Sequence, residues 1–405
     1  MKKILFALIF VLAGTNAFAM TFKVGDNTID LYASVRAFTV FNYTDAGDRS
    51  INCQGGAATG AVERNCSQFV IGLQPNSRAG IRWTQGDFFI HNEWGTGGSA
   101  TTPTLNLRLL YGDYKFAGGE KGRIRIGQIA PIANTSYFYD RKLNGDNALQ
   151  GFGTLFERRR LGINYEIGGF SVSAFSMRQD SSPVTGAFAG AGLSNIAFTE
   201  IIPRFEAAYK VSSLTVAGSY VKGSIIADRD ENRNNRYHVD AGHIAVAANP
   251  QIGNNARLIA SGFYSVNAGL YQQVSIGGGF DDNHAVSVTD GTSSVWALPS
   301  FKSWNGNKPE FYNTSVYGGA VAIVVDKFEA GFGIQSAAND SWKDEDGKVA
   351  NQTGMGVYAN YKLRVANNLR ITPEIGYYHS GNLKGFSNVK DTRGFQVGVQ
   401  FRFDI

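Results

Sequence analysis

Cysteine is almost absent, with two in 405 residues, which excludes a disulfide scaffold. No apolar run reaches the roughly 18 residues that a membrane-spanning helix needs. Charge is sparse and nearly balanced. There are 38 Lys and Arg against 33 Asp and Glu, a formal +5, and charged residues make up 18% of the chain. The basic residues are scattered along the sequence, so the stripe that binds nucleic acid is missing, and no nucleic-acid partner is expected. Catalytic signatures are missing as well: there is no Gly-x-Ser-x-Gly, no His-Glu-x-x-His and no phosphate loop. The five histidines share no ligand spacing. His238, Asp240 and His243 invite a catalytic reading, but His243 falls on the opposite face of a strand from the other two. Asp228, Asp230, Asn232 and Asn234 start like a calcium loop, yet Val239 stands where the bidentate Glu belongs. We therefore expect no enzyme, no metal and no cofactor.

Glycine (49 residues) and aromatics (13%) are abundant. At the start, Lys2 and Lys3 precede an apolar run from Ile4 to Ala13, followed by Ala17-Phe18-Ala19 with small residues at the two positions a signal peptidase reads. This predicts a secretory signal over 1-19, cleaved after Ala19, and a single domain over 20-405. An exported chain without apolar helices can still cross a bilayer as a closed barrel, whose strands are only half apolar.

Such strands carry apolar residues at every second position. The final segment does so with Phe395, Val397, Val399, Phe401, Phe403 and Ile405, against Gln396, Gly398, Gln400, Arg402 and Asp404. The pattern repeats at Phe69, Ile71, Leu73, Ala79, Ile81 and Trp83, at Leu105, Leu107, Leu109 and Tyr111, and at Leu161, Ile163 and Tyr165. It returns at Phe328 to Ile334, Val357 to Leu363 and Leu369 to Tyr377. Sixteen such segments are predicted, two of which, 237-249 and 311-324, leave open which face points outward. Connections after odd-numbered strands are long: 44-66, 96-103, 132-156, 179-200, 225-236, 268-310, 339-351 and 381-391. Those after even-numbered strands are short and rich in turn residues, such as Gln85-Gly86, Gly168 and Val325-Asp326. An all-β transmembrane antiparallel barrel explains that asymmetry, with short periplasmic turns and long outside loops. Phe41, Tyr43, Trp83, Trp94, Tyr137, Phe138, Tyr139, Tyr220, Tyr377 and Tyr378 are candidates for its two aromatic girdles.

The residues now resemble the general bacterial porin family, the sixteen-stranded trimeric channels of Gram-negative outer membranes. Asn76-Ser77-Arg78-Ala79-Gly80-Ile81-Arg82 is similar to that family's second-strand Ser-Arg-Leu-Gly pattern, and Phe88 to Glu93 to its next strand. Arg108-Leu109-Leu110-Tyr111-Gly112 with Arg125-Ile126-Gly127-Gln128-Ile129-Ala130-Pro131 resembles the two strands leading into the constriction loop. Arg160 to Tyr165 and Gly168 to Ala174 resemble the pair that follows it. Two features depart from the family: the third loop lacks Pro-Glu-Phe-Gly-Gly, and the chain ends in Ile405 instead of Phe. The resemblance implies passive diffusion of ions and small hydrophilic solutes, a homotrimer, and a third loop folded into the lumen. It further implies outer-membrane lipid and lipopolysaccharide as surroundings, and a C-terminal signal of Phe401, Phe403 and Ile405 read by the barrel-assembly machinery.

Selectivity in a water-filled lumen is set by its charged lining. By strand parity Arg36, Arg78, Arg82, Arg108, Arg125, Arg158 and Arg160 point inward. In the resembled family a basic wall faces acids on the third loop, which here offers Asp140 and Asp146, beside Arg141 and Lys142. Seven arginines against two acids predict a modest anion preference. The alternative is that about half of these arginines pair with Glu93, Glu157 or Glu166 and simply satisfy the interior. Cys53 and Cys66 lie in one predicted outside loop, where a disulfide is expected to stabilise by roughly 3 kcal/mol. Two other readings of the barrel remain open. One is a solute-specific anion channel, with the arginines as its ladder; the other is a non-conducting adhesin or receptor that uses the loop at 268-310.

Overall fold

The structure is a computed structural model. It describes residues 20–45, 65–74, 76–98, 103–135, 138–139, 149–156, 159–177, 179–180, 194–228, 236–270, 275–276, 295–296, 300–305, 308–343, 346–381 and 391–404. The signal segment 1-19, Cys53, Asp140, Asp146, Arg158 and Ile405 lie outside the described residues, as does the side chain of Cys66.

Sixteen strands follow one another around a single sheet, each antiparallel to its neighbours. They are β1 Asn27–Asp45, β2 Asn65–Leu73 with Arg78–Gln85, β3 Phe88–Gly98, β4 Pro103–Lys115, β5 Arg123–Ile129, β6 Arg160–Ile167, and β7 Phe170–Phe175 with Gln179–Asp180. Then come β8 Ser194–Glu200 with Arg204–Val211, β9 Leu214–Asp228, β10 Arg236–Ala248, β11 Ala256–Val266, β12 Thr314–Val325, β13 Phe328–Lys343, β14 Val349–Tyr361 with Leu363–Ala366, β15 Leu369–Ser380 and β16 Thr392–Asp404. The sheet closes on itself, since β16 pairs back onto β1 from Ser34 opposite Asp404 to Asp45 opposite Arg393. Closure removes the two open edges whose unpaired N–H and C=O groups hydrocarbon could not satisfy. Two short hairpins, Ser275–Ile276 with Val295–Trp296 and Ser300–Asn305 with Lys308–Tyr312, form where the long 268-310 connection is predicted, and a further segment precedes the first predicted strand. Met20–Val24 turns back on β1, with Met20 opposite Leu31 and Val24 opposite Asn27. It runs in line with β16 along the same edge of β1.

The two-residue period explains the burial pattern. In β13, Phe328, Phe332 and Ile334 are exposed on the outside, while Glu329, Gln335 and Asn339 are buried inside. The two open segments resolve the same way, with Ile244 and Val246 outward on β10 and Tyr317, Val321 and Ile323 outward on β12. Among the described residues the connections alternate as expected. Gly86 at φ 53° and Asp326 at φ 51° sit in two-residue turns that need the left-handed region.

Two irregularities decide which side chains enter the lumen. In β2, Leu73 faces Ala37 and Arg78 faces Ser34, so five steps oppose three. The two extra residues preserve parity. Gln74 and Ser77 hold the bulge, through Gln74 N to Arg36 O (2.8 Å) and Arg36 N to Ser77 Oγ (2.9 Å). In β4 only one residue is extra, because Glu93 faces Leu109 while Trp94 faces Leu107. A single insertion inverts the faces beyond it. The predicted outward run Leu105, Leu107, Leu109, Tyr111 is therefore corrected: below the bulge Leu110 and Tyr114 point outward, and Tyr111 and Asp113 point inward. The girdle assignment is corrected at Tyr139 and Tyr378, which are buried inside the barrel, and at Phe138, which packs against the same internal cluster; Tyr137 lies outside the described residues. Cys66, expected in a loop, has its backbone in β2 opposite Thr44.

Candidate pore-lining site

The inner wall of β1 to β6 carries a continuous polar network. At its centre is Glu93, only 2% exposed. It accepts hydrogen bonds from Arg108 Nε (2.9 Å) and the Tyr32 hydroxyl (2.7 Å), with Arg78 Nε at 3.6 Å. The Tyr32 oxygen also meets His91 Nε2 at 2.6 Å. Since Tyr32 gives its proton to Glu93, His91 Nε2 donates to Tyr32, and its Nδ1 accepts from the Tyr111 hydroxyl at 3.3 Å. Each tyrosine carries a guanidinium on its ring face: Arg82 lies 4.5 Å from the Tyr32 centroid and Arg125 4.7 Å from that of Tyr111. Arg125 also forks onto Asp113 at 2.9 and 3.1 Å, and Arg123 reaches Glu166 at 2.8 Å and Asp113 at 3.7 Å.

The remaining candidates sit apart. Arg36 is 5% exposed and its Nε lies 3.4 Å from Ser34 Oγ. Arg160 is drawn to Glu200 on β8 at 2.8 Å. The pairing expected for part of the wall is thus present at Arg78, Arg108, Arg125 and Arg160, whereas Arg82 forms no ion pair among the described residues. Within the network five guanidiniums, Arg78, Arg82, Arg108, Arg123 and Arg125, meet three carboxylates, Glu93, Asp113 and Glu166. That leaves two positive charges in excess.

The third connection crosses to the opposite sector. Ile132 N donates to Glu206 Oε2 on β8 at 2.7 Å, and His243 Nε2 on β10 donates to Ala133 O at 3.2 Å. The Tyr139 hydroxyl donates to Ala320 O on β12 at 2.6 Å and accepts from Ser261 Oγ on β11 at 2.8 Å. Tyr139, Leu149 and Phe152 bury themselves against Ile259, Ala320, Ala322, Tyr358 and Tyr378, forming a hydrophobic core inside the barrel. The returning end is tied to the outgoing one by Thr135 N to Leu155 O (3.2 Å) and Leu155 N to Thr135 Oγ1 (2.9 Å). Room for this crossing comes from small inward residues, including Ala217, Ala245 and Ala247 beside Gly333 and Gly354. A Cβ on Gly333 would run into the backbone oxygen of Phe152, and one on Gly354 would lie 3.3 Å from Gly151 O.

No family model matches the chain, and no curated protein matches it. Solved structures do. The outer membrane channel DcaP of Acinetobacter baumannii is 12% identical, covers 95% of this chain and 99% of its own, and superimposes with a TM-score of 0.59. The chain has the porin-type barrel fold. Two further structures cover as much at lower TM-scores. In-vitro folded OmpT, an outer membrane protein of Vibrio cholerae, is 12% identical over 95% of this chain and 100% of its own, with a TM-score of 0.49. Salmonella typhi OmpF in complex with daunomycin is 14% identical over the same shares, also with a TM-score of 0.49.

Several wall residues of this porin-type barrel escaped the sequence reading. Tyr32, His91 and Arg123 were available from parity, because they share a strand face with Arg36, Glu93 and Arg125 respectively. Asp113 and Tyr111 were hidden by the single-residue bulge in β4. Glu200, Arg204 and Glu206 sit on β8, far from the arginines in sequence, and Arg204 lies 4.5 Å over Phe175 and 3.4 Å from Glu206 with no exposure. The berth for the third connection did leave a signal, the run of inward Ala and Gly on successive strands.

Proposed function

We propose that the chain forms a water-filled channel in the Gram-negative outer membrane, through which ions and small hydrophilic solutes diffuse passively. The observation that carries this is the closed sixteen-stranded barrel with an apolar outside and a charged inner wall. Phe69, Leu105 and Leu161 are each at least 60% exposed on the outside, a band that suits hydrocarbon and not water. The two-charge excess of the network around Glu93, Asp113 and Glu166 supports a modest anion preference. The third connection, anchored on β8 to β15, narrows the lumen opposite that wall.

A homotrimer belongs to the same reading. It rests on the resemblance to the trimeric porin family. Outer-membrane lipid, lipopolysaccharide and the barrel-assembly machinery are the proposed surroundings. The test is a planar bilayer with the refolded chain 20-405 under a salt gradient. Stepwise openings in groups of three with an anion-leaning reversal potential are expected. Silence from a folded barrel would overturn the channel and favour the receptor reading.

A further inference from the structure

Beneath the root of the third connection lies a half-open recess of about 210 Å³ between Ile132, Ala133 and Phe138 on one side and Ala217, Ala245 and Ala247 on the other. The three wall alanines are 7%, 3% and 2% exposed, so they form a closed floor. The recess sits toward the short-turn rim, for Ala217 is near the start of β9 and Ala247 near the end of β10. Protein interiors pack with few voids larger than a water molecule, and a lumen built only to pass ions has no use for an apolar one. Among the described residues, Asn134, Thr135 and Thr215 are the only polar side chains in its otherwise apolar lining. An engineered apolar cavity of about 150 Å³ stays dry and takes up benzene.

We propose that this recess is a binding subsite for an uncharged six-membered aromatic ring carried by a small polar solute. The volume accommodates one ring, the floor is made of alanines on the adjacent strands β9 and β10, and Phe138 offers an edge or face for an aromatic pair. Thr215 and Asn134, also in the lining, place hydroxyl and carboxamide groups beside the solute's polar part. The subsite rests on the channel reading, since only a solute in transit reaches it. It adds to that reading a preference by chemical class: aromatic solutes linger where aliphatic ones of equal charge pass.

L-Phenylalanine and L-alanine isolate the ring, because both are zwitterions with the same head. In single-channel recordings phenylalanine is expected to produce a saturable reduction in current, and alanine at the same concentration none. Ala245→Leu fills the recess and is expected to raise the half-blocking concentration at least tenfold, with the block read as a fraction of the variant's own current in plain salt. Ala217→Leu, on the neighbouring strand, serves where the first variant does not insert. Equal effects of the two amino acids, or a phenylalanine block unchanged in both variants, would overturn the subsite while leaving the channel standing. Where the wild-type barrel does not conduct, saturation-transfer NMR on the detergent-folded protein reads ring contact directly, and its absence overturns the subsite as well.

Discussion

Glu93 and Arg82 do opposite things on the same wall. Glu93 gathers Tyr32, Arg78 and Arg108 around one carboxylate, whereas Arg82 rests on a ring and forms no ion pair among the described residues. Glu93→Gln raises the excess of the network from two charges to three, and Arg82→Gln lowers it from two to one. Reversal potentials under a salt gradient should therefore move toward anions in the first variant and toward cations in the second. Equal shifts in one direction would show that this wall does not set selectivity. Glu93→Gln also weakens three contacts to a buried carboxylate, a cost of about 1–3 kcal/mol, visible as an earlier midpoint in urea unfolding. Residues of this kind were half legible in the sequence. Parity reveals which side a residue faces, but which acid an arginine chooses depends on strand stagger, and that is fixed by bulges of one or two residues.

The bulge in β4 needs support because it lies in the bilayer. The outward Gln128 on β5 supplies it, donating from Nε2 to Leu107 O at 2.9 Å and to Arg108 O at 3.1 Å. Gln128→Leu is expected to lower stability by about 1–2 kcal/mol, since two carbonyls lose their donor where water cannot replace it. Heat-modified mobility and urea midpoints would measure this. An unchanged midpoint would mean that the carbonyls find other donors. On the opposite sector, Gly333 lies under the Phe152 carbonyl. Gly333→Leu should lift the third connection, cost about 1–3 kcal/mol and change single-channel conductance. Strands β10 and β12 show why elements were easier to locate than to orient. Apart from His243 and Thr314, the buried inward positions are Ala and Val because the third connection packs there, so both faces look apolar.

Taken whole, the molecule is a sheet wrapped once around its own buried crosspiece. The apolar core that a soluble protein keeps between layers is here carried by Tyr139, Leu149 and Phe152 inside the ring, while the outside is apolar for a different reason, its solvent. Mean composition hides this arrangement: 43% hydrophobic describes a soluble domain as well as this barrel, and only the alternation and the loop asymmetry separate them. Met20–Val24 has a further consequence. It lies on the same edge of β1 as β16, and only Tyr32 and Ala33 separate the positions opposite Met20 and Asp404. At about 3.4 Å per residue, residues 404 and 20 stand roughly 10 Å apart along one line. Chain order is thus incidental to the cylinder, and a permuted protein, joined from 404 to 20 by a short linker and opened within 229-235, should fold to the same conducting barrel. The seam between first and last strand would then be an ordinary stretch of wall, and a new seam would carry the closure.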